Sequence, residues 1–426
     1  MNMKLISQFR TVVPLPQSWT VVLLPLLLIA CSGNRDSAPV HSFQVYTEDG
    51  VTIAETTGGP KYEGELFFYE KLLELKEDTS SDESMFYRPW GIMEGDDGRY
   101  YMTDGGHKRI MVYDEEGNYL FGFGRGGQGP GEFERPLIQS VKDDRICIYD
   151  GDLIRVSWFN MDGVLEETIR LPDEMGRPMA FYMGPDRSLI AFKTNRPRRD
   201  GYSYEQGFMI ASTPEGDTLA FCQTEQVQVG VQTTIDQGGR PLPTGGPIHF
   251  SPKARGLYHP AHGLVMTTGE EPELHCYDLT GQLIRIIRID LEPEPVTQED
   301  RAKVLAESDR DIAGSEGMDR AIHTAVRKVI TFRDHKAFWD WIEVDTEGYL
   351  WLKIPEWYYD LEEQGIGALY HVISPEGEYL GTSRLPTMMG AMSNGKLFLI
   401  ESNPETAEAI PTIYRIIPAV RGLHYP

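Results

Sequence analysis

Apolar residues in this chain cluster into short runs of strand length, separated by turn signals, and the pattern repeats. The segment Asp97 to Gly117 (DGRYYMTDGGHKRIMVYDEEG) lies without a gap on Asp143 to Gly163 (DDRICIYDGDLIRVSWFNMDG) after a shift of 46 residues. Arg99 falls on Arg145, Asp104 on Asp150, Gly105 on Gly151, Arg109 on Arg155 and Gly117 on Gly163. A self-similar period of roughly 40 to 50 residues with about four strands per unit is the signature of a β-propeller. Turns of the kind that join strands one and two recur at Asp97-Gly98, Asp143-Asp144, Asp186-Arg187, His262-Gly263, Glu347-Gly348 and Asn394-Gly395. Turns joining strands three and four recur at Glu116-Gly117, Asp162-Gly163, Glu215-Gly216, Thr280-Gly281 and Glu376-Gly377. The first set predicts six blades, and the shorter second set leaves the last blade one strand short, at Thr412–Pro418.

An open blade would expose an unpaired edge. Leu72–Lys76 (LLELK) looks like the outer strands elsewhere and leads into blade one, so ring closure by this N-terminal segment against the C-terminal blade is expected. The fold class is therefore all-β, a six-bladed propeller closed by an N-terminal strand with a small helical insertion. His41–Thr56 predicts an extra hairpin around Asp49-Gly50. Helical periodicity enters only within 291–337. Thr297-Gln298-Glu299-Asp300 resembles a capping box. Met318, Ala321, Ile322, Ala325, Val326, Val329 and Ile330 form an apolar stripe expected to face the disc.

The first forty residues have another character. Lys4 and Arg10 precede an apolar stretch, Val21–Ala30, that is too short to span a bilayer. It ends in Leu28-Ile29-Ala30-Cys31, which resembles the lipobox of bacterial lipoproteins, and the resemblance implies cleavage before Cys31 and lipidation of it. The expected organisation is a signal peptide over 1–30, a tether over 31–41, and the propeller over 42–426 with its helical insertion at about 297–332. Net charge is −25 for the chain. A field of that sign disfavours nucleic acid and anionic head groups as partners, so membrane attachment is expected through the lipid on Cys31 and localisation in the cell envelope. Cys147, Cys222 and Cys276 lie in predicted strands without the spacing of a disulfide framework, and read as buried thiols.

Segment 88–173 resembles the NHL-type propellers, and in particular bacterial six-bladed propeller lipoproteins with a G-x-G-x-G-P-G-E-F stretch after blade one. Here that stretch is Gly124-Arg125-Gly126-Gly127-Gln128-Gly129-Pro130-Gly131-Glu132-Phe133. The resemblance implies architecture and location more than chemistry.

In a four-stranded meander the tight turns share one face of the disc, while the two–three loops and the crossings between blades share the other. Nearly all the elaboration falls on that second face, where binding sites on rigid scaffolds concentrate. Binding candidates there are His107, Arg125, Gln128 and Glu132, together with the aromatic loop residues Trp357, Tyr358 and Tyr359. Lys193–Arg199 (KTNRPRR) is a basic loop suited to nearby acids or to an anionic partner. The glycine run lacks the lysine and helix N-terminus of a phosphate loop, so its glycines serve a tight crossing. Asp104 and Asp150 are expected to hold loop amides. His249, His259, His262 and His275 are spread over different strands and turns, so no shared metal is assigned. No catalytic motif is present. The chain reads as a binding or interaction module for a protein, peptide or extracellular polymer. The alternative is a hydrolase or lyase, lactonase-like, using a divalent metal such as calcium on the central axis; outside that alternative no cofactor is implied.

Overall fold

A computed structural model describes residues 40–77, 81–236, 240–356, 367–386, 391–403 and 405–426. Six antiparallel four-stranded meanders succeed one another along the chain: blade one over 89–123, two over 136–170, three over 180–223, four over 255–289, five over 341–384 and six over 391–418. Blade six supplies only three of its own strands, Ala391–Ser393, Lys396–Ser402 and Ala409–Pro418, and its fourth is the N-terminal strand Phe67–Glu74. That strand runs antiparallel to the C-terminal one, from Phe67 opposite Pro418 to Glu74 opposite Thr412. The closing strand thus begins five residues before the predicted one, because Phe67 and Tyr69 continue the alternation that Leu73 and Leu75 suggest.

The burial pattern explains why inner strands read as unbroken apolar runs. Each blade is covered on both faces by its neighbours, so both sets of alternating side chains are buried. In Arg145–Asp150, Ile146 and Ile148 pack toward blade one while Cys147 and Tyr149 pack toward blade three. In Leu189–Asn195, Leu189 and Ala191 meet blade two, and Ile190 and Phe192 meet blade four. Six such core clusters link blades one–two, two–three, three–four, four–five, five–six and six–one, which closes the ring. Every turn named above carries a residue at positive φ, including the non-glycine pairs Asp143-Asp144 and Asp186-Arg187. The three described cysteines are buried and unpaired, and burial pushes the Cys147 and Cys276 thiols up to about 12.

Two additions decorate the ring. The expected hairpin, Ser42–Glu48 with Val51–Thr57, lies on the rim, its second strand parallel to Leu283–Ile289, the outer strand of blade four. The second addition is a β-ribbon within the crossing from blade three to blade four. The third strand of blade three, Tyr202–Ser212, outgrows the blade, and its first residues pair with Val227–Asp236. That strand in turn pairs with Pro241–His249, and Thr331–Phe332 adds in parallel.

The helical insertion comprises α1 (Gln298–Gly314) and α2 (Gly317–Val329). Thr297 caps α1 with the full reciprocal box: Asp300 N–H donates to Thr297 Oγ1 at 3.0 Å and Thr297 N–H to Asp300 Oδ2 at 2.9 Å. The stripe on α2 does not face the disc as expected. It packs on the ribbon strands Val227–Asp236 and Pro241–His249, where a Cβ on Gly246 would come within 3.2 Å of Val329 Cγ2. The ribbon offers the apolar surface that the helix was predicted to seek on the propeller.

Candidate functional site

The crossing from blade one to blade two is a self-contained knot. Arg125 donates through Nε and Nη2 to Glu132 Oε1 at 2.9 and 2.8 Å, and Glu132 Oε2 accepts from Gly129 N–H at 2.8 Å. The Gly129 amide and then Arg125 hold the Glu132 carboxyl below its usual range. Gln128 takes part through its carbonyl: the Arg155 guanidinium donates to the carbonyls of Gln128, Gly129 and Glu132 at 3.0, 2.8 and 2.7 Å. Gly124 has φ +82°, and a Cβ there would lie 2.3 Å from the Phe133 ring, which is buried between blades one and two. The glycines therefore serve a tight crossing, as expected. The charged candidates Arg125 and Glu132 are spent on one another.

His107 stands on the neighbouring two–three loop of blade one, joined to the crossing by a Lys108–Glu134 ion pair. Its Nδ1 is 2.7 Å from Asp104 Oδ2. Asp104 is fully buried and also accepts from Tyr87 N–H at 2.9 Å, His107 N–H at 3.3 Å and Arg109 Nε at 3.0 Å. Its repeat partner Asp150 accepts from the amides of Glu134, Arg135, Asp152 and Leu153 at 2.8, 3.2, 3.1 and 3.0 Å. Both aspartates are hubs that fasten a two–three loop to the preceding crossing. Cys31, Trp357, Tyr358 and Tyr359 lie outside the described residues.

The histidines do not converge. His249 packs tilted against Phe332 with ring centroids 5.7 Å apart, and His262 Nε2 donates to the Gly348 carbonyl of a neighbouring turn at 2.7 Å. Burial pushes His262 down to about 4. Among the described residues no three His, Cys, Asp or Glu side chains are grouped as metal ligands.

One concavity among the described residues was not anticipated. A pocket of about 550 Å³ opens on the elaborated face, bounded by the basic loop of blade three, the ribbon, residues 247–253, and Asp340, Pro355 and Glu356 of blade five. Its acids are all engaged. Glu205, 2% exposed, accepts from Arg196 Nη2 at 2.7 Å and from Ala254 N–H at 3.1 Å. Asp340 Oδ1 lies 3.3 Å from Lys353 Nζ, and Glu356 is held by Arg384 in a two-pronged pair at 2.9 and 3.0 Å. The one advance signal was the KTNRPRR loop; the other walls come from segments far apart in sequence.

Beside the pocket, the inner strand of blade five carries Trp341 and Glu343. Arg255 lies 5.1 Å from the Trp341 ring, and the Trp341 indole N–H donates to Glu343 Oε1 at 2.9 Å. Glu343 keeps some accessible surface but is surrounded by protein. Burial, and then the Glu343 charge, raises the Tyr182 phenol of blade three. Burial pushes the Glu343 carboxyl up to about 7 and that of Asp345 up to about 6. In the unfolded chain both ionise at ordinary carboxylate values, so between those values and about 7 the folded state holds the extra protons. Through these two carboxyls stability is thus expected to rise as the pH falls from 8 to 5, opposed by His262, whose buried neutral ring resists the proton that the unfolded chain takes up. Glu343→Gln should raise the thermal midpoint at pH 8, by roughly 1–3 kcal/mol of unfolding free energy, and have little effect at pH 5. Melting curves across that range would check this; parallel profiles for the two proteins would refute it.

No curated protein matches the sequence. Among solved structures, the chain is similar to a Bacteroides fragilis protein provisionally described as exported, at 11% identity over 86% of this chain and 99% of that one, with a TM-score of 0.47. It is also similar to a gluconolactonase of Xanthomonas campestris (11% identity, 77% and 86% covered, TM-score 0.35). A further similarity is to the virginiamycin B lyase of Staphylococcus aureus (11% identity, 82% and 99% covered, TM-score 0.35). Residues 81–234, which hold blades one to three and the first strand of the ribbon, match the family DUF5128, described as a 6-bladed beta-propeller, and the ring closed by six inter-blade cores is a propeller of that kind.

Proposed function

We propose that this chain is a lipid-anchored, extracytoplasmic propeller of a bacterial envelope, and that it acts as a binding module for a protein, peptide or extracellular polymer seated on the elaborated face. One observation carries the reading. The pocket of about 550 Å³ is walled by parts that depart from the repeat, namely the basic loop and the ribbon, with Asp340, Pro355 and Glu356 of blade five. Scaffold turns on the opposite face are short and built by the repeat itself. The lipobox-like Leu28–Cys31 supports the anchor, and a single acyl-bearing residue with several chains would hold the domain firmly at a membrane.

The test is photocrosslinking in intact cells. Benzoylphenylalanine placed at Thr244, in the pocket wall, is expected to give envelope adducts, whereas the same group at Glu215, on a tight turn of the other face, is not. Equal adduct patterns at the two positions would refute a face-specific module. In the same cells Cys31→Ser should release the protein from the membrane fraction and abolish acyl labelling; persistent labelling would refute the anchor.

A further inference from the structure

The pocket lining holds as many cations as acids inside a protein of net charge −25. Three cations line it: Arg196, Arg198 and Lys253. Arg196 is matched by Glu205. Among the described residues, the side chains of Arg198 and Lys253 make no hydrogen bond, ion pair or aromatic contact, while each acid of the lining has a cation of its own. Arg255, behind the lining, adds a further positive charge 3.8 Å from Glu205 Oε1. Lys253 is close enough to His249 that its charge adds to burial in lowering that imidazole. With Lys353 and Arg384 from outside the lining taking up Asp340 and Glu356, the charges of Arg198 and Lys253 are left over in the concavity, where protein walls limit screening.

Elsewhere this chain uses its cations differently. Most arginines and lysines on the described surface face one of the many available acids, as Lys61 does with Glu378, Arg125 with Glu132, Arg333 with Glu270 and Lys396 with Glu94. In a chain with 65 acids against 40 Lys and Arg, two cations without an ion pair lie together in this pocket. A planar guanidinium and a mobile ammonium together suit a carboxylate, which takes paired N–H donors from the first and a point charge from the second. The volume admits a ligand of a few sugar or amino-acid units, in the ordinary range of small-ligand sites.

We propose that Arg198 and Lys253 form the recognition pair of an anion site, and that the ligand seated in the pocket is a small carboxylate-bearing molecule or the end of a carboxylate-bearing chain. This rests on the binding-module reading above and specifies its ligand chemistry. The test is calorimetric titration of the soluble chain from residue 40 onward with trigalacturonate and with triglutamate, against their uncharged counterparts maltotriose and triglycine. At least one charged probe is expected to bind, more weakly as salt is raised, and its uncharged counterpart not to bind. Arg198→Ala with Lys253→Ala should weaken that binding at least tenfold, whereas Lys142→Ala, an exposed cation on the opposite face, should not change it. Uncharged probes binding as well as charged ones, no charged probe binding at all, or an unchanged affinity in the double variant would overturn the proposal. Face-specific crosslinking at Thr244 that survives any of these results would leave the binding module standing and remove only its anionic ligand.

Discussion

Phe67→Ala is expected to lower the unfolding free energy by about 3–5 kcal/mol, the range for emptying a fully buried aromatic site. Removal of residues 40–76 should abolish cooperative folding altogether. The reason is where this short segment sits. Phe67 is 1% exposed, and its ring lies 5.4 Å from Trp351 of blade five and 4.9 Å from Tyr425 of the C-terminal tail. Leu66 and Phe67 belong to the core between blades five and six, and Leu75 to the core between six and one. The backbone repeats the pattern: Leu66 N–H donates to Thr382 of blade five at 3.2 Å, and Lys76 N–H to Gly117 of blade one at 2.9 Å. Eleven residues, Leu66 to Lys76, thus touch three blades. The tail locks the same seam, with Tyr425 Oη donating to the buried Asp345 at 2.7 Å and Tyr349 Oη donating to the His424 carbonyl at 2.8 Å. Without the closing strand, Ala409–Pro418 would present a long bare edge, the usual template for aggregation. Circular-dichroism melts with size-exclusion chromatography would measure both effects. A truncated chain that stays monomeric and melts within a few degrees of the full one would show that the ring does not depend on this strand.

That closure was legible because it follows from counting: six first turns, five second turns, and a strand-like segment before blade one. The paired aspartates were legible for the same reason, since a residue that recurs at the same place in two blades answers to a need of the blade. The ribbon was not. Gly230, Gly245 and Gly246, with Pro241, Pro243 and Pro247, interrupt any strand pattern between Glu225 and Pro247. These residues are tolerated because the ribbon is a two-stranded excursion whose prolines all sit on one strand, whose Gly230 and Gly245 lie against ribbon backbone, and whose Gly246 admits α2. Losing the ribbon misdirected the helix, whose apolar stripe announces that it packs but not on what. The pocket was hidden by the same omission. Its walls come from 196–205, 229–253 and 337–356, and no local pattern ties a buried Glu205 to the lysine and arginines that surround it. The charged residues of the glycine run engage one another because glycine-rich crossings need internal clamps, and Arg125, Glu132 and Arg155 are those clamps.

Asp150→Ala should lower the unfolding free energy by about 3–5 kcal/mol, and Asp104→Ala by a similar amount, with the asparagine variants separating the two sites. A buried carboxylate that accepts several amides cannot be removed cheaply: each donor left without an acceptor costs about 1–3 kcal/mol, less where loop water can enter. At Asp150, 1% exposed, Oδ1 serves Arg135, Asp152 and Leu153, while Oδ2 serves only Glu134. Asparagine can keep its oxygen at the Oδ1 position and lose a single bond, so Asp150→Asn should cost about 1–2 kcal/mol. At Asp104 the division is even. Oδ1 serves the amides of Tyr87 and His107, and Oδ2 serves the His107 ring and the Arg109 guanidinium. An amide nitrogen in either place would point donors at donors, and the loss of charge would strip Arg109 of its acid. Asp104→Asn should therefore be nearly as damaging as Asp104→Ala, by about 3 kcal/mol or more. Denaturant titrations of the four variants would establish the order Asp150→Asn above Asp104→Asn, with both alanines lowest. If Asp150→Ala and Asp104→Ala instead melted like the parent, the backbone donors would be satisfied without these carboxylates. The repeated aspartates would then be free to serve a ligand.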